Sequence, residues 1–258
     1  MSEEAVKDPG VEPGKQVTNW DEEMAKYAQK AAASERPQLA AISLRGGFMK
    51  YNDVAIPGNK LQTIVIASVM ERVFYEERFD PNKPASPSCF AFHDGTDGVE
   101  WMPNEKSALN KSPTGCAYCQ YSQWGSDPHN PGSRGKGCKE KRKLVLMPNP
   151  KSKEMALLSV PVMSVRNWSN YVNGIAASFQ RPPWGMLTEI SVRPDPKSQF
   201  VVEFEPVEPL PQDMLASVFD KIELATQILT TPYDYHNPQE NLGQPNNGPK
   251  KEAKPKKY

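Results

Sequence analysis

The chain has 258 residues, of which only 38% are apolar, and its 31 basic and 31 acidic residues cancel. This apolar fraction is low for a compact globule, so we expect part of the chain to lie outside the folded domain. No apolar run approaches the length of a membrane-spanning helix, and we therefore expect a soluble protein that does not bind a membrane.

Both ends of the chain are predicted to be disordered tails. Residues 1–18 and 233–258 are polar and rich in Pro, Gly and Asn, so they cannot bury enough side chain to offset the entropy of ordering. The folded domain is then expected over residues 19–232. Residues 1–14 lack the apolar core of a secretion signal, which predicts that the protein stays in the reducing cytoplasm.

The first predicted elements are one helix and several strands. Apolar residues recur at helical spacing over 22–33. Two short β-like runs follow, at 39–44 and 48–56, and a Pro-Gly-Asn turn ends the second. Residues 61–75 are dense in β-branched and aromatic side chains, which predicts a long, bent strand.

All four cysteines of the chain lie in the next segment, 80–139, whose frequent Pro, Gly, Ser and Asn predict a long loop. Loops of this length are unusual unless something ties them down. A C-x-x-C turn with two distant single cysteines suits a tetrahedral site of four thiolates. We therefore predict a structural Zn²⁺ ion bound by Cys89, Cys116, Cys119 and Cys138.

Other interpretations of these cysteines stay open. They could be buried thiols or two disulfides, although a reducing compartment favours a metal. An iron–sulfur cluster also takes four thiolates. His93, four residues after Cys89, is an alternative ligand to it, but an ordinary hydrogen-bonded histidine is the simpler interpretation.

Two hairpins and two helices are predicted after the cysteines, each bounded by turn residues. They are, in chain order, a hairpin of 143–150 and 154–163, a helix of 165–179 capped by Ser164, a hairpin of 186–194 and 198–206, and a helix of 212–229.

With the strand at 61–75, these elements have the order β-β-β-α-β-β. That is the order of the OB-fold, a five-stranded, partly open Greek-key barrel that binds oligonucleotides or oligosaccharides. The predicted fold class is mainly β with flanking helices: an OB-fold-like five-stranded barrel with a long metal-stapled loop between strands 1 and 2, beside the binding groove. A mixed α+β domain without barrel closure is the competing prediction.

Charge is unevenly distributed along the chain. Residues 103–145 contain eight basic and three acidic residues, a net charge of +5, whereas 201–223 contain six acidic residues and one basic. Aromatic residues interleave with the cations, and a base stacked on such a ring contributes about 1–3 kcal/mol. A solvated surface is the simpler alternative to nucleic-acid binding. The predicted contacts with nucleic acid are Lys106, Lys111, Tyr118, Tyr121, Trp124, Arg134, Lys136, Lys139, Lys141, Arg142 and Lys143.

Five segments of the chain together resemble a family of tailed-phage single-stranded DNA-binding proteins, over roughly residues 40–230. The segments are PSCFAFH (87–93), CAYCQYSQWGS (116–126), GKGCKEKRKL (135–144), SVPVMSVRNWSNYV (159–172) and LTEISV (187–192). The resemblance implies a zinc-containing OB-type core that binds single-stranded DNA during bacteriophage DNA replication and recombination, in the host cell cytoplasm. Many such proteins end in an acidic tail, whereas this sequence has the lysine-rich stretch KKEAKPKK.

No catalytic motif is recognisable, and the three histidines are scattered. A closed shell of four thiolates leaves a metal no open position for a substrate, so we expect no enzymatic activity. The expected partners are single-stranded DNA and replisome or polymerase proteins. A metal-stapled protein-interaction or transcription accessory module, and an iron–sulfur protein, are the alternative functions.

Overall fold

A single β-sheet is the framework of the part of the chain that the structure describes. The computed structural model describes residues 24, 27, 39–78, 85–93, 95, 98–149 and 154–233. Its strands are β1 (Ala40–Ser43), β2 (Lys50–Tyr51), β3 (Val54–Ala55), β4 (Lys60–Phe74), β5 (Cys89–His93), β6 (Lys139–Met147), β7 (Ala156–Val160), β8 (Met186–Asp195) and β9 (Gln199–Pro209). The α-helices from residue 39 onward are α1 (Val165–Phe179), α2 (Gln212–Phe219) and α3 (Ile222–Leu229).

The long strand β4 joins the two halves of the sheet. Along one edge it pairs with β8 near its start and with β5 near its end, and along the other edge it pairs with β6. The register with β6 shifts between Val65 and Ala67, and a bulge of this kind bends a strand. The whole order is β3-β2-β1-β7-β6-β4-β8-β9, with β5 beside β4, and the sheet is strongly curled.

The prediction of a mainly β fold with flanking helices is confirmed. The five strands predicted for the barrel correspond to β4, β6, β7, β8 and β9. The predicted β-like runs at 39–44 and 48–56 contain β1, β2 and β3, so the described sheet has nine strands and is larger than the predicted barrel. Strand β5 lies inside the segment predicted to be loop, because the surrounding Pro, Gly and Ser residues mask its short apolar run.

The two faces of the sheet bury separate apolar cores. Side chains alternate along β6, so Leu144 and Leu146 point to one face while Val145 points to the other. Helix α1 covers the first face, where Trp168 is buried. Helices α2 and α3 cover the second face, where Leu229 is buried. Each large apolar side chain buried in this way stabilises the fold by about 1.5–3 kcal/mol.

The helix predictions are confirmed in part. Helix α1 has the predicted bounds, but Ser164 does not cap it. The Ser164 hydroxyl is buried and instead accepts a hydrogen bond from the backbone N–H of Val202 in β9, at 2.8 Å. The predicted helix at 212–229 is two helices, because the chain turns at Asp220 and Lys221.

Several predictions lie outside the described residues. They include both tails up to residue 18 and from 234, and most of the helix at 22–33, of which Met24 and Tyr27 are described and are helical. The chain divides into two units, Met1–Gln38 and Leu39–Tyr258. Tyr233 was predicted to begin the C-terminal tail, but it is buried, so the folded unit extends at least that far. None of the described helices has the length and hydropathy needed to cross a bilayer.

Candidate functional site

Three of the four cysteines lie in the long connection between β5 and β6, and the fourth, Cys89, begins β5. Cys89 is the first residue of β5 and is paired with Phe74, at the end of β4. Cys138 directly precedes β6, whose first residue is paired with Val73 of β4. Cys116 begins a short 3₁₀ turn, and the N–H of Cys119 closes it on the carbonyl of Cys116 at 3.3 Å. The sheet thus holds both outer cysteines beside the end of one strand.

All four cysteines are free thiols, with Cys138 half-buried and the others buried. Burial, together with the charges of the other three cysteines, raises the pKa of Cys138 to about 12. Burial also raises the pKa of Cys116 to about 11, against the opposing charge of Arg72. The four sulfurs are therefore within electrostatic reach of one another. Among the described residues, however, no three His, Cys, Asp or Glu side chains are grouped so that they could hold a metal ion.

Backbone hydrogen bonds fix the connection that carries Cys116 and Cys138. The N–H of Cys116 donates to the carbonyl of Trp101, and the N–H of Cys138 donates to the carbonyl of Tyr121, each at 2.7 Å. Gly115 has a φ of 109°, and a Cβ atom there would lie 2.5 Å from the Glu100 carboxylate. The positive φ therefore favours glycine immediately before the C-x-x-C turn.

The alternative ligand His93 has other partners. It is the last residue of β5, and its Nε2 lies 3.0 Å from the carbonyl of Val99. Its Nδ1 accepts a hydrogen bond from the N–H of Gly95 at 2.9 Å, and its ring stacks on Trp101. The guanidinium of Arg72 lies 4.3 Å from the centroid of the Trp101 ring. With both ring nitrogens engaged, His93 packs the connection against the sheet.

Three of the predicted DNA-contacting lysines are bound to carboxylates. The pairs are Lys111 with Glu76 at 2.9 Å, Lys139 with Asp127 at 2.7 Å, and Lys143 with Glu71 at 3.1 Å. The first two pairs are partly exposed, and exposed pairs of this kind contribute little to stability, so their lysines remain able to exchange partners.

Lys143 belongs to the interior. Its side chain is 7% exposed and that of Glu71 is 1% exposed. The hydroxyl of Tyr233 donates to the same Glu71 carboxylate, and the ammonium of Lys143 lies 4.6 Å from the Tyr233 ring centroid. Burial lowers the pKa of Lys143, and the charge of Glu71 opposes this. This buried cluster ties β4, β6 and the end of the described chain together.

Arg142 and Tyr121 are also partly withdrawn from solvent. Burial lowers the pKa of Arg142, and its Nε atom is buried without a hydrogen-bond partner among the described residues. Tyr121 packs on Phe74, with ring centroids 4.2 Å apart. The Tyr121 ring therefore helps to join the connection to β4.

Two ring–cation pairs remain, one on the exposed Trp124 and one on the half-buried Tyr75. Trp124 is 77% exposed, and the ammonium of Lys136 lies 4.9 Å from its ring centroid. The ammonium of Lys141 lies 5.6 Å from the ring of Tyr75. We call these four residues the basic-aromatic surface. The exposed residues Tyr118, Lys106 and Arg134 lie on the same connection.

Tyr75 was missed at the sequence level, because it ends a strand whose apolar run predicts burial. The signal that could have found it is its position one residue beyond β4, where the chain leaves the strand toward Cys89.

Comparison of the chain with protein-family models, with curated proteins and with solved structures found no match.

Proposed function

We propose that this protein binds single-stranded DNA without sequence preference, through the basic-aromatic surface. The observation that carries the proposal is the exposed ring of Trp124 with the Lys136 ammonium beside it. An exposed indole offers a base a face to stack on, and an adjacent ammonium offers its phosphate a counter-charge. Proteins that bind single strands without sequence preference combine these two groups.

Strand order supports an OB-type domain as the scaffold. Strands β7, β6, β4, β8 and β9 are neighbours in that order, and each pair is antiparallel. An OB barrel has strands 3, 2, 1, 4 and 5 in this sequence, with a helix between strands 3 and 4. Helix α1 occupies that place. In this interpretation β1, β2 and β3 extend the free edge of strand 3.

The four cysteines give the proposed metal a structural role. Cys89, Cys116, Cys119 and Cys138 are the donor set, and four thiols suit Zn²⁺ or, as the alternative, an iron–sulfur cluster. A bound ion would cross-link the connection that carries Trp124 and Lys136. The ring and the cation would then be held in place before DNA arrives, which lowers the entropic cost of binding.

The biological setting follows from the resemblance. Single-stranded DNA exposed during phage replication and recombination is the proposed substrate, in the cytoplasm of the host, with replisome or polymerase proteins as further partners. We propose a binding protein and not an enzyme.

The test is the affinity of full-length protein for a fluorescein-labelled oligo-dT, measured by anisotropy at low and at high salt. Trp124→Ala is expected to weaken binding about 5- to 150-fold, the equivalent of one lost stacking interaction. Phe219→Ala is the matched control, because Phe219 is an exposed ring on α2 and is 63% exposed. We expect it to bind like the wild type.

Two results would contradict the proposal. One is the absence of binding by the wild type at low salt. The other is equal affinity of the Trp124→Ala variant and the wild type, with the circular dichroism spectrum unchanged in both. A steep fall in affinity with salt is expected, because phosphate neutralisation releases counterions.

A further inference from the structure

The last described residue, Tyr233, lies beside one half of the basic-aromatic surface. Its ring packs on Phe90, with centroids 5.0 Å apart, and its hydroxyl donates to the Glu71 carboxylate. Tyr75 packs against the same apolar cluster, and the ammonium of Lys141 lies 5.6 Å from the Tyr75 ring. The chain therefore leaves the described fold next to the pair of Tyr75 and Lys141.

The other half of the basic-aromatic surface is joined to Tyr75 through His129. The Nε2 atom of His129 lies 3.0 Å from the carbonyl oxygen of Tyr75. Five residue steps separate Trp124 from His129, so their Cα atoms are at most about 18 Å apart. A continuous series of contacts thus connects Tyr233 with both ring–cation pairs.

The basic-aromatic surface has few cations of its own. They are the ammonium groups of Lys136 and Lys141. Each phosphate of a single strand that a protein neutralises adds about −0.7 to the slope of log affinity against log salt, so two cations account for a slope of about −1.4. Nearby, Lys111 and Lys139 are bound to carboxylates and Lys143 is buried. Further cations that can reach the same strand would therefore add strongly to its binding.

The chain contains such cations beyond Tyr233. Residues 250–257 have the sequence KKEAKPKK, with five lysines and one glutamate, and 234–249 contain no lysine or arginine. Seventeen residue steps separate Tyr233 from Lys250, so this stretch can span at most about 60 Å. A folded domain of about 195 residues has a diameter of about 40 Å. The lysines can therefore reach a strand that lies anywhere on the basic-aromatic surface.

We infer that the lysine-rich segment 250–257 binds phosphates of the same DNA strand whose bases stack on the basic-aromatic surface. This inference rests on the proposed function and adds a second contact region to it. Because the segment is tethered at Tyr233, its lysines are present at a high effective concentration around the bound strand. Two linked contacts with one strand bind it more tightly than either contact does alone.

The salt dependence of oligo-dT binding by full-length protein is the first test. The variant has glutamine in place of Lys250, Lys251, Lys254, Lys256 and Lys257. Its slope of log affinity against log salt is expected to be shallower by about 0.7 for each lysine that contacts a phosphate, and by up to about 3.5 for all five. At about 0.1 M salt its affinity is expected to be at least about tenfold lower than that of the wild type. A variant with the slope and the affinity of the wild type would overturn the inference.

The control is Arg45→Gln/Arg166→Gln/Lys197→Gln, which removes three exposed cations that lie outside the cysteine connection. We expect its slope to stay within about 0.7 of the wild-type slope. An equal change per cation removed in the control would also overturn the inference. If the wild type binds and Trp124→Ala binds more weakly, but the lysine variant binds like the wild type, the inference fails and the proposed function stands. If the wild type does not bind oligo-dT at low salt, both fail.

Tryptic cleavage after Lys250 and Lys251 is the second test, and its readout is not an affinity. Saturating oligo-dT is expected to slow this cleavage at least about threefold, because a lysine held on a phosphate is not available to the protease. Cleavage after Lys15 is the internal control and is expected to be unchanged. In Trp124→Ala, an oligo-dT concentration that saturates only the wild type is expected to give no protection. Protection that persists in this variant, or equal cleavage of the wild type with and without DNA, would contradict binding to one shared strand.

Discussion

Replacing one member of the buried pair of Lys143 and Glu71 should lower the free energy of unfolding far more than replacing both members. Both side chains are almost fully buried, and their charged atoms are 3.1 Å apart. Glu71→Leu leaves a buried ammonium without its carboxylate, and also removes the acceptor of the Tyr233 hydroxyl. Removing one member of a buried pair costs about 3–5 kcal/mol, a large share of the about 5–15 kcal/mol that stabilise a domain.

Lys143→Met is expected to cost a similar amount, because it leaves the buried Glu71 carboxylate without its ammonium partner. In the double variant both charges are gone, and the apolar replacements can pack against Phe92 and the Tyr233 ring. Its loss is expected to be far smaller than the about 3–5 kcal/mol of either single variant, because no buried charge is left without its partner. The two single changes should therefore be strongly non-additive.

Urea unfolding of the four proteins, followed by far-ultraviolet circular dichroism, measures these free energies. The exposed pair of Lys60 and Glu189 gives the control, and Glu189→Gln is expected to leave the unfolding free energy nearly unchanged. If the loss in the double variant equals the sum of the two single losses, the lysine and the glutamate are not coupled and our reasoning is refuted.

Two further predictions concern the cysteines. Protein purified without a metal-binding tag is expected to contain one equivalent of zinc. Chelation of the metal, or the variant Cys116→Ser, should lower the thermal midpoint of unfolding by several degrees. Metal analysis that finds neither zinc nor iron would contradict this prediction. In chelated protein, the pKa of Cys138 is raised to about 12 from 9.0, so above about pH 9 the unfolded thiol ionises before the folded one. The unfolding free energy should then fall between about pH 9 and 12, and less so in Cys138→Ser, whereas identical pH profiles would refute the assignment.

The central part of the fold could be predicted from the sequence because its elements have strong local signals. Helix α1 has apolar residues at helical spacing, and the strands of the two hairpins alternate or have β-branched runs between clear turns. Strand β5 lacks such a signal, because its five residues are too few to outweigh the Pro, Gly and Ser residues around them. The pairing of β1 with β7 was beyond prediction for another reason: it joins residues more than a hundred positions apart.

In the candidate site, too, local features could be predicted from the sequence and long-range contacts could not. The C-x-x-C spacing and the cluster of cations are local features, and they were visible in the sequence. The burial of Lys143 depends on Glu71 and Tyr233, which are distant in the chain and meet only in the folded protein. Composition therefore identified a basic region, but it could not separate the lysines that reach solvent from the one that holds the interior together.

The way β4 is paired has a consequence for how the molecule opens. The connection of residues 94–138 leaves β5 at His93, opposite Met70 of β4, and enters β6 at Lys139, opposite Val73, so the sheet holds its two ends about 14 Å apart. Strand pairing holds both ends in place even when the connection's own hydrogen bonds break. We therefore expect the connection to open locally while the sheet stays intact, so that loss of the proposed metal ion would free the Trp124 ring without unfolding the domain.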